Sequence, residues 1–350
     1  MQPPIYFDPR WNGNHGIGRF SAELQARLPG VVPLRIAGPK LSLVDPLASS
    51  LALAGLREGC FLSPGFNPPL RSPIPFAFTI HDLVHLRVPA ESSAVRRLYY
   101  ASVVRPATRR AWRILTVSEY SKQDIVEWSG VDAARVHVVG NGVSPVFVPG
   151  PGRAQRERFF LHVGRRAGHK NIEGLLRAFA QSGLAGEFRL VFTGEPDAFT
   201  MDHVRALSLG EWVRFSGPVD DEALLGLYHR CTALVFPSLH EGFGLPVVEA
   251  MATGTPVVTS TTTSMPEIAG EGNALLADPR APEEIAQALR RIAGDALLWD
   301  QLAARGRERA RAFTWEQVSE RTQRALGLGA GLSATRGGGK TSGAGPGRRD

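Results

Sequence analysis

The chain has 350 residues and a mass of 37.8 kDa, a length that fits about two domains. Hydrophobic residues make up 43% of it and charged residues 21%, which excludes a wholly disordered protein. A net charge of +7 suits a nucleic acid, an anionic membrane surface or a phosphorylated substrate, and does not choose among them.

Short apolar runs alternate with helical patterns along the whole chain. The first six predicted strands are Ile5–Phe7, Val31–Ile36, Phe61–Leu62, Phe76–Ile80, Ile114–Val117 and Val136–Val139. Helices are predicted between them near Ile17–Leu28, Ser92–Trp112 and Tyr120–Trp128. Strands that alternate with helices favour βαβ units and a parallel sheet.

The second half repeats this alternation. Its predicted strands are Phe159–Val163, Arg189–Thr193, Val213–Phe215, Ala233–Pro237, Pro256–Thr259 and Ala274–Ala277. Its predicted helices are Ile172–Gln181, Asp220–Tyr228, Pro246–Thr253 and Glu283–Ile292. Continuous apolar strands such as TALVF are typical of a sheet that is covered on both faces.

The segment SPVFVPGPGRAQRER separates the two halves, and its composition is typical of a linker. We therefore predict an α/β protein with two doubly wound, Rossmann-like domains, residues 1–150 and 151–312, whose parallel sheets face a central cleft. Ligands bind at the carboxyl ends of the strands in such folds. The Gly-rich tail, residues 327–350, is predicted to be disordered.

The sequence predicts a cytoplasmic protein without a metal. No apolar run reaches the roughly 18–20 residues of a membrane helix, and the first residues lack the pattern of a secretory signal. Cys60 and Cys231 are too few for a disulfide framework or a zinc site.

Two glutamates flank a glycine-containing loop in FPSLHEGFGLPVVEAMATGTPVV. A strand ends at Pro237 and a helix starts near Pro246, so the loop presents free N–H groups at a helix N-terminus, where a phosphate binds readily. A carboxylate beside a phosphate is unfavourable, so Glu241 and Glu249 are predicted to accept hydrogen bonds from sugar hydroxyls. Alternatively, Glu249 complements the helix dipole and Glu241 is solvated.

The eight-residue separation of Glu241 and Glu249, with FGLP between them, resembles the E-x7-E motif of retaining glycosyltransferases with the GT-B fold, glycosyltransferase family 4. The resemblance extends to about residue 326. It implies that Glu241 contacts the transferred sugar and that Glu249 contacts the nucleotide ribose. The amides of Phe243, Gly244 and Leu245 would bind the sugar or the phosphate.

The segment FFLHVGRRAGHKN places cations between a strand that ends at Gly164 and the next helix. Cations there stabilise a departing diphosphate, although loop cations are often only solvated. The family has an arginine after the glycine and a lysine before the helix. Lys170 matches the lysine, and Arg165 is the expected donor-binding arginine, with Arg166 as its competitor.

Two further segments carry candidate residues. In FAFTIHDL, His81 ends a strand; such a histidine can be structural, but the resemblance implies a catalytic contact with the transferred sugar. Asp82 either orients that imidazole or caps the next segment. In NGNHGIGRF, Gly16 and Gly18 let the backbone approach a ligand, and the resemblance places this loop under the donor phosphate. Its spacing is not the G-x-G-x-x-G fingerprint, which disfavours a dehydrogenase.

Three other features leave alternatives open. Ser118 is predicted as an N-cap, and Glu267 either lies near the donor or starts a helix. Residues 92–113 contain six arginines and no acidic residue. They form a solvated face, attract a pyrophosphate-bearing acceptor, or contact an anionic membrane. By resemblance, a helix over residues 313–326 crosses back to the N-terminal domain.

The resemblance implies retaining transfer of a hexose from a nucleotide diphosphate sugar to a glycan or lipid-linked acceptor, without metal or cofactor. The segments GIGRF, TIHDL, HKN and SMPE resemble the mannosyltransferase-like branch that builds bacterial surface polysaccharides, so GDP-mannose is the expected donor, before UDP- or dTDP-sugars. A nucleotide-sugar epimerase is one alternative. A basic, non-catalytic binder is the other, but no recognition helix or aromatic–basic platform supports nucleic acid as a partner.

Overall fold

The computed structural model describes residues 3–13, 15–42 and 44–328, so Asn14 and most of the predicted tail, residues 329–350, lie outside it. Every predicted strand is present. The strands are β1 Ile5–Phe7, β2 Val31–Pro33, β3 Cys60–Ser63, β4 Phe76–Thr79, β5 Arg113–Thr116, β6 Val136–Val138, β7 Phe159–His162, β8 Arg189–Phe192, β9 Val213–Phe215, β10 Ala233–Phe236, β11 Val257–Ser260 and β12 Leu275–Ala277.

Helices follow most of the strands. They are α1 Gly16–Arg27, α2 Asp45–Leu53, α3 Val84–Arg87, α4 Ala94–Tyr99, α5 Arg105–Arg110, α6 Glu119–Ser129, α7 Ile172–Gln181, α8 Ala198–Ala206, α9 Asp221–Arg230, α10 Leu245–Ala252, α11 Met265–Ala269, α12 Pro282–Gly294, α13 Ala296–Ala310 and α14 Trp315–Ala325. A π-helical turn, Tyr100–Val104, joins α4 to α5 just before Pro106, whose missing N–H disturbs a regular helix.

The strands form two six-stranded, wholly parallel sheets, which confirms the predicted fold class. Their orders are β2-β1-β3-β4-β5-β6 and β12-β11-β10-β7-β8-β9. Every residue of β3, β4, β7, β10 and β11 is buried, as expected for strands covered by helices on both faces.

Helix α14 packs on the N-terminal domain. The N–H of Val143 donates to the carbonyl of Phe313 at 2.9 Å, and Arg113 donates to the carbonyl of Ala325 at 3.2 Å. A Cβ on Gly142 would lie 2.6 Å from the backbone nitrogen of Trp315. The boundary predicted near residue 150 falls between β6 and β7.

The strand order fixes where a ligand can bind. In the second sheet the order reverses at the neighbouring strands β7 and β10, whose helices leave in opposite directions. The carboxyl ends of strands at such a switch point leave an open crevice. The loops that follow β7 and β10 carry the candidate residues of this domain.

Candidate active site

A cavity of about 650 Å³ lies between the two domains, beyond the carboxyl ends of the strands. Nine of the ten predicted site residues line it. They are Gly16, His81, Arg165, Lys170, Glu241, Phe243, Gly244, Leu245 and Glu249.

Gly18 is the predicted residue that does not line the cavity. Its N–H donates to Nδ1 of His15, the N-cap of α1, at 3.0 Å. A Cβ at this position would lie 2.4 Å from the carbonyl oxygen of Gly13. Gly18 therefore allows the chain to turn into α1 and is placed for a structural role.

Two glycines shape the loop before α10. A Cβ on Gly242 would lie 2.5 Å from the His81 carbonyl oxygen of the other domain. Gly244 has φ +85°, and a Cβ there would lie 2.5 Å from Cε of Met265. No acceptor among the described residues takes the N–H groups of residues 243–245. These N–H groups, at the positive end of α10, can bind an anion.

Lys170 and Glu241 form an ion pair on the cavity wall. Lys170 Nζ lies 2.6 Å from Glu241 Oε1, and their side chains are only 14% and 11% exposed. Burial alone would raise the pKa of Glu241, but the nearby ammonium of Lys170 and its hydrogen bond hold that pKa below its usual value. Glu241 is thus an ionised acceptor whose counter-ion also faces the cavity.

Glu249 has the opposite electrostatic environment. It lies in the second turn of α10 and is 4% exposed. The Tyr228 hydroxyl donates to it at 3.0 Å, and Arg19 donates at 3.2 Å. Burial outweighs these contacts and raises the pKa of Glu249 to about 7.

The two adjacent arginines have different surroundings. Arg166 donates to the carbonyl of Thr193 at 2.7 Å, pairs with Asp197 and lies over the ring of Phe215. Arg165 lines the cavity with its side chain 78% exposed. Its guanidinium lies 3.5 Å from the carboxylate of Glu91, and of the two guanidinium groups it is the more exposed and thus the one better placed to meet a diphosphate.

His81 is held as a neutral acceptor. Its Nε2 lies 2.9 Å from the carbonyl oxygen of Pro64. A carbonyl only accepts, so we assign the proton to Nε2 and leave Nδ1 as an acceptor. Burial lowers the pKa of His81, which keeps the ring neutral. Asp82 accepts from the N–H of Val84 at 3.0 Å, which is the capping alternative.

Glu267 lies in the first turn of its own helix, α11, and its carboxylate also contacts the start of a helix in the N-terminal domain. Its carboxylate accepts from the N–H groups of Glu119 at 2.9 Å and Tyr120 at 3.1 Å, at the beginning of α6. Ser118 caps the same helix by accepting from the N–H of Ser121 at 3.0 Å. One carboxylate and one hydroxyl group thus accept hydrogen bonds from three N–H groups at the start of α6.

Sequence reasoning missed two charged residues that cross the cleft. Arg19 follows the Gly16–Gly18 loop and reaches Glu249, and its place directly after a glycine-rich loop was an available signal. Glu91 accepts from the N–H of Gly168 at 3.0 Å. No pattern in the surrounding sequence marks Glu91.

The arginine-rich segment lies on the surface of the N-terminal domain. Val95 and Leu98 of α4 are 71% and 61% exposed. Within the described ranges, no helix has the length and apolar character needed to cross a membrane. The same residues contain no group of three or more His, Cys, Asp or Glu side chains arranged to hold a metal ion.

Comparisons with known proteins match both halves of the chain. The family model "Glycosyltransferase Family 4" matches residues 48–147, and "Glycosyl transferases group 1" matches residues 147–312. The O-antigen chain mannosyltransferase B of Escherichia coli is 31% identical over 307 residues, which cover 82% of this chain and 78% of that protein.

Solved structures show the same fold. The sucrose-phosphate synthase of Thermosynechococcus elongatus has a TM-score of 0.75 at 21% identity, covering 94% of this chain and 99% of that one. Anabaena Alr3699/HepE, solved in complex with UDP and glucose, has a TM-score of 0.73 at 18% identity, covering 93% of this chain and 100% of that one.

Proposed function

The chain belongs to the glycosyltransferases of group 1 and family 4 with the GT-B fold, and from this premise we propose that it transfers a hexosyl group, with retention, from a nucleotide diphosphate sugar to a hydroxyl acceptor. The acceptor is a glycan or a lipid-linked saccharide in surface-glycan assembly. The similar Escherichia coli protein is named for the transfer of mannose to an O-antigen chain, so GDP-mannose is the first donor proposed.

One observation carries the proposal: an anion site and an ion-paired carboxylate face the same cavity. The N–H groups of residues 243–245 and the cations Arg165 and Lys170 suit a diphosphate. The ionised carboxylate of Glu241 suits the hydroxyls of the transferred hexose, and Glu249 suits those of the ribose.

The chemistry follows from these charges. As the glycosidic bond breaks, negative charge grows on the leaving diphosphate, and fixed N–H groups and cations stabilise it most at that stage. In a front-face reaction, the leaving phosphate helps to take the proton of the acceptor hydroxyl. His81, neutral and with Nδ1 as an acceptor, holds a sugar hydroxyl. No metal or further cofactor takes part in this proposal.

A screen of nucleotides followed by a turnover assay tests the function. Thermal unfolding is measured with GDP, UDP and dTDP, since a bound ligand stabilises the folded protein by mass action. The preferred nucleotide then selects the sugar donor, and retention is read from the anomeric configuration of the product. No stabilisation by any nucleoside diphosphate would refute the proposal. Donor epimerised without an acceptor would favour an epimerase instead, which the comparisons do not favour.

The location of the enzyme is also a proposal. Residues 92–113, with six arginines, no acidic residue and exposed Val95 and Leu98, suit a peripheral contact with an anionic membrane at its cytoplasmic face. Sedimentation with phosphatidylglycerol vesicles, compared with phosphatidylcholine vesicles, tests this contact. Equal recovery with both would refute it.

A further inference from the structure

Arg19 connects the two domains across the candidate active site. It is the fourth residue of α1 in the N-terminal domain and lines the cavity. Its guanidinium lies 3.2 Å from Glu249 Oε1 and 2.5 Å from Asp221 Oδ1, both in the C-terminal domain. One side chain of one domain thus contacts two carboxylates of the other.

The contact with Arg19 favours the ionised form of the Glu249 carboxyl group. The groups that face it are Arg19 from α1 and Asp221 and Tyr228 from α9. Tyr228 offers a neutral hydrogen bond and Asp221 repels, so Arg19 is the cation among these neighbours. A carboxylate that is 4% exposed needs such compensation to stay ionised near neutral pH.

We propose that Arg19 is a positioning residue that couples nucleotide binding to closure of the two domains. The inference rests on the proposed function, in which Glu249 accepts hydrogen bonds from the donor ribose. An ionised carboxylate is a pure acceptor, whereas a protonated one gives up part of that capacity. Arg19 reaches Glu249 only when the N-terminal domain lies on the C-terminal one. The closed arrangement and the ribose-binding form of Glu249 therefore stabilise each other.

Calorimetric titration with UDP and with GDP between pH 5.5 and 8.5 tests the coupling. The proteins are wild type, Arg19→Met, Arg19→Lys and the matched control Arg27→Met. Arg27 lies on the same helix and also pairs with a carboxylate, that of Glu316 at 3.0 Å, but does not line the cavity. Small-angle X-ray scattering of the same samples measures domain closure.

We expect the affinity of the wild type to rise as Glu249 ionises with increasing pH. The pH dependence of Arg19→Met should move upward by about one pH unit, because an adjacent opposite charge shifts a carboxyl pKa by that order. At pH 7 this leaves about a fifth as much ionised Glu249, so the variant should bind about fivefold more weakly. It should also compact less on binding. Arg19→Lys should recover part of the affinity, and Arg27→Met should match the wild type.

Two results would overturn the coupling. One is an Arg19→Met titration that superposes on that of the wild type. The other is an equal loss at every pH without a shift, which would give Arg19 a purely structural role. If the wild type itself binds neither nucleotide, the proposed function fails and the inference fails with it. If the wild type binds a nucleotide and Arg19→Met binds it equally well at every pH, the inference about Arg19 fails and the proposed function stands.

Discussion

A methyl group added at Gly242 should separate the two domains at the candidate active site. The Cβ of an alanine there would lie 2.5 Å from the His81 carbonyl oxygen and 2.9 Å from Cβ of Asp82. Neither atom can move by a change of rotamer, and Gly242 has no positive φ that would add strain of its own. Ordinary contact begins at 3.4 Å, so the surfaces must part by about 1 Å.

A displacement of about 1 Å between reacting groups can lower turnover on the order of 100-fold, or ~2.7 kcal/mol. We therefore expect Gly242→Ala to lose activity to that extent while its unfolding midpoint stays close to that of the wild type, because neither domain core changes. Release of nucleoside diphosphate from the sugar donor measures turnover, and thermal unfolding measures stability. Gly226→Ala is the control, since its Cβ would have no heavy atom within 4 Å apart from its chain neighbours and the backbone of its own helix. Equal turnover of the two variants would refute the reasoning.

Other substitutions separate charge from packing. Lys170→Met should raise the pKa of Glu241 and lower turnover more at pH 6 than at pH 8, as a pH–rate profile would show. Burial raises the pKa of Glu249 from 4.5 to about 7. The free energy of unfolding therefore falls as pH rises from 4.5 to 7, because the unfolded chain loses this proton more readily than the folded one. Above pH 7 the loss amounts to about 3 kcal/mol. Glu249→Gln should therefore be more stable than the wild type in urea at pH 8 but not at pH 4.5. Arg166→Met should lower the unfolding midpoint and spare nucleotide affinity, whereas Arg165→Met should weaken affinity and leave the midpoint unchanged.

The strands could be predicted because each is a short apolar run, and β3, β4, β7, β10 and β11 are buried along their whole length. The site loop after β10 could be predicted as well, because a proline, a glycine and two glutamates mark it within one continuous segment. Four helices were not predicted, α2, α3, α8 and α13, and a helix at Glu267, observed as α11, was one of two alternatives. In α13, Gly306 approaches α10 so closely that a Cβ would lie 3.3 Å from Met251 Cγ. Small residues on such a face weaken the hydrophobic periodicity on which helix prediction depends.

The contacts between the domains could not be read from local sequence. Arg19 and Glu249 lie 230 positions apart, and Glu267 caps a helix 148 positions away. Asp197 decides which of Arg165 and Arg166 can meet a diphosphate, because it pairs with Arg166. Asp197 reaches Arg166 through the packing of α8, and no neighbouring residue in the sequence indicates this contact. Such pairings arise from the arrangement of the two domains, which no local spacing records.

The two glutamates of the loop illustrate how one short segment yields two different groups. Glu241 has its cation, Lys170, within its own domain, so its charge persists whatever the other domain does. Glu249 lies deeper and takes its cation from the N-terminal domain. The end of the cavity proposed for the sugar is therefore electrostatically complete in one domain, whereas the end proposed for the ribose needs both. When two neighbouring carboxyl groups have different surroundings, their pKa values differ and they take different chemical roles. Here the pKa of Glu241 is lowered and that of Glu249 is raised, and the two groups differ in which domain supplies the positive charge beside them.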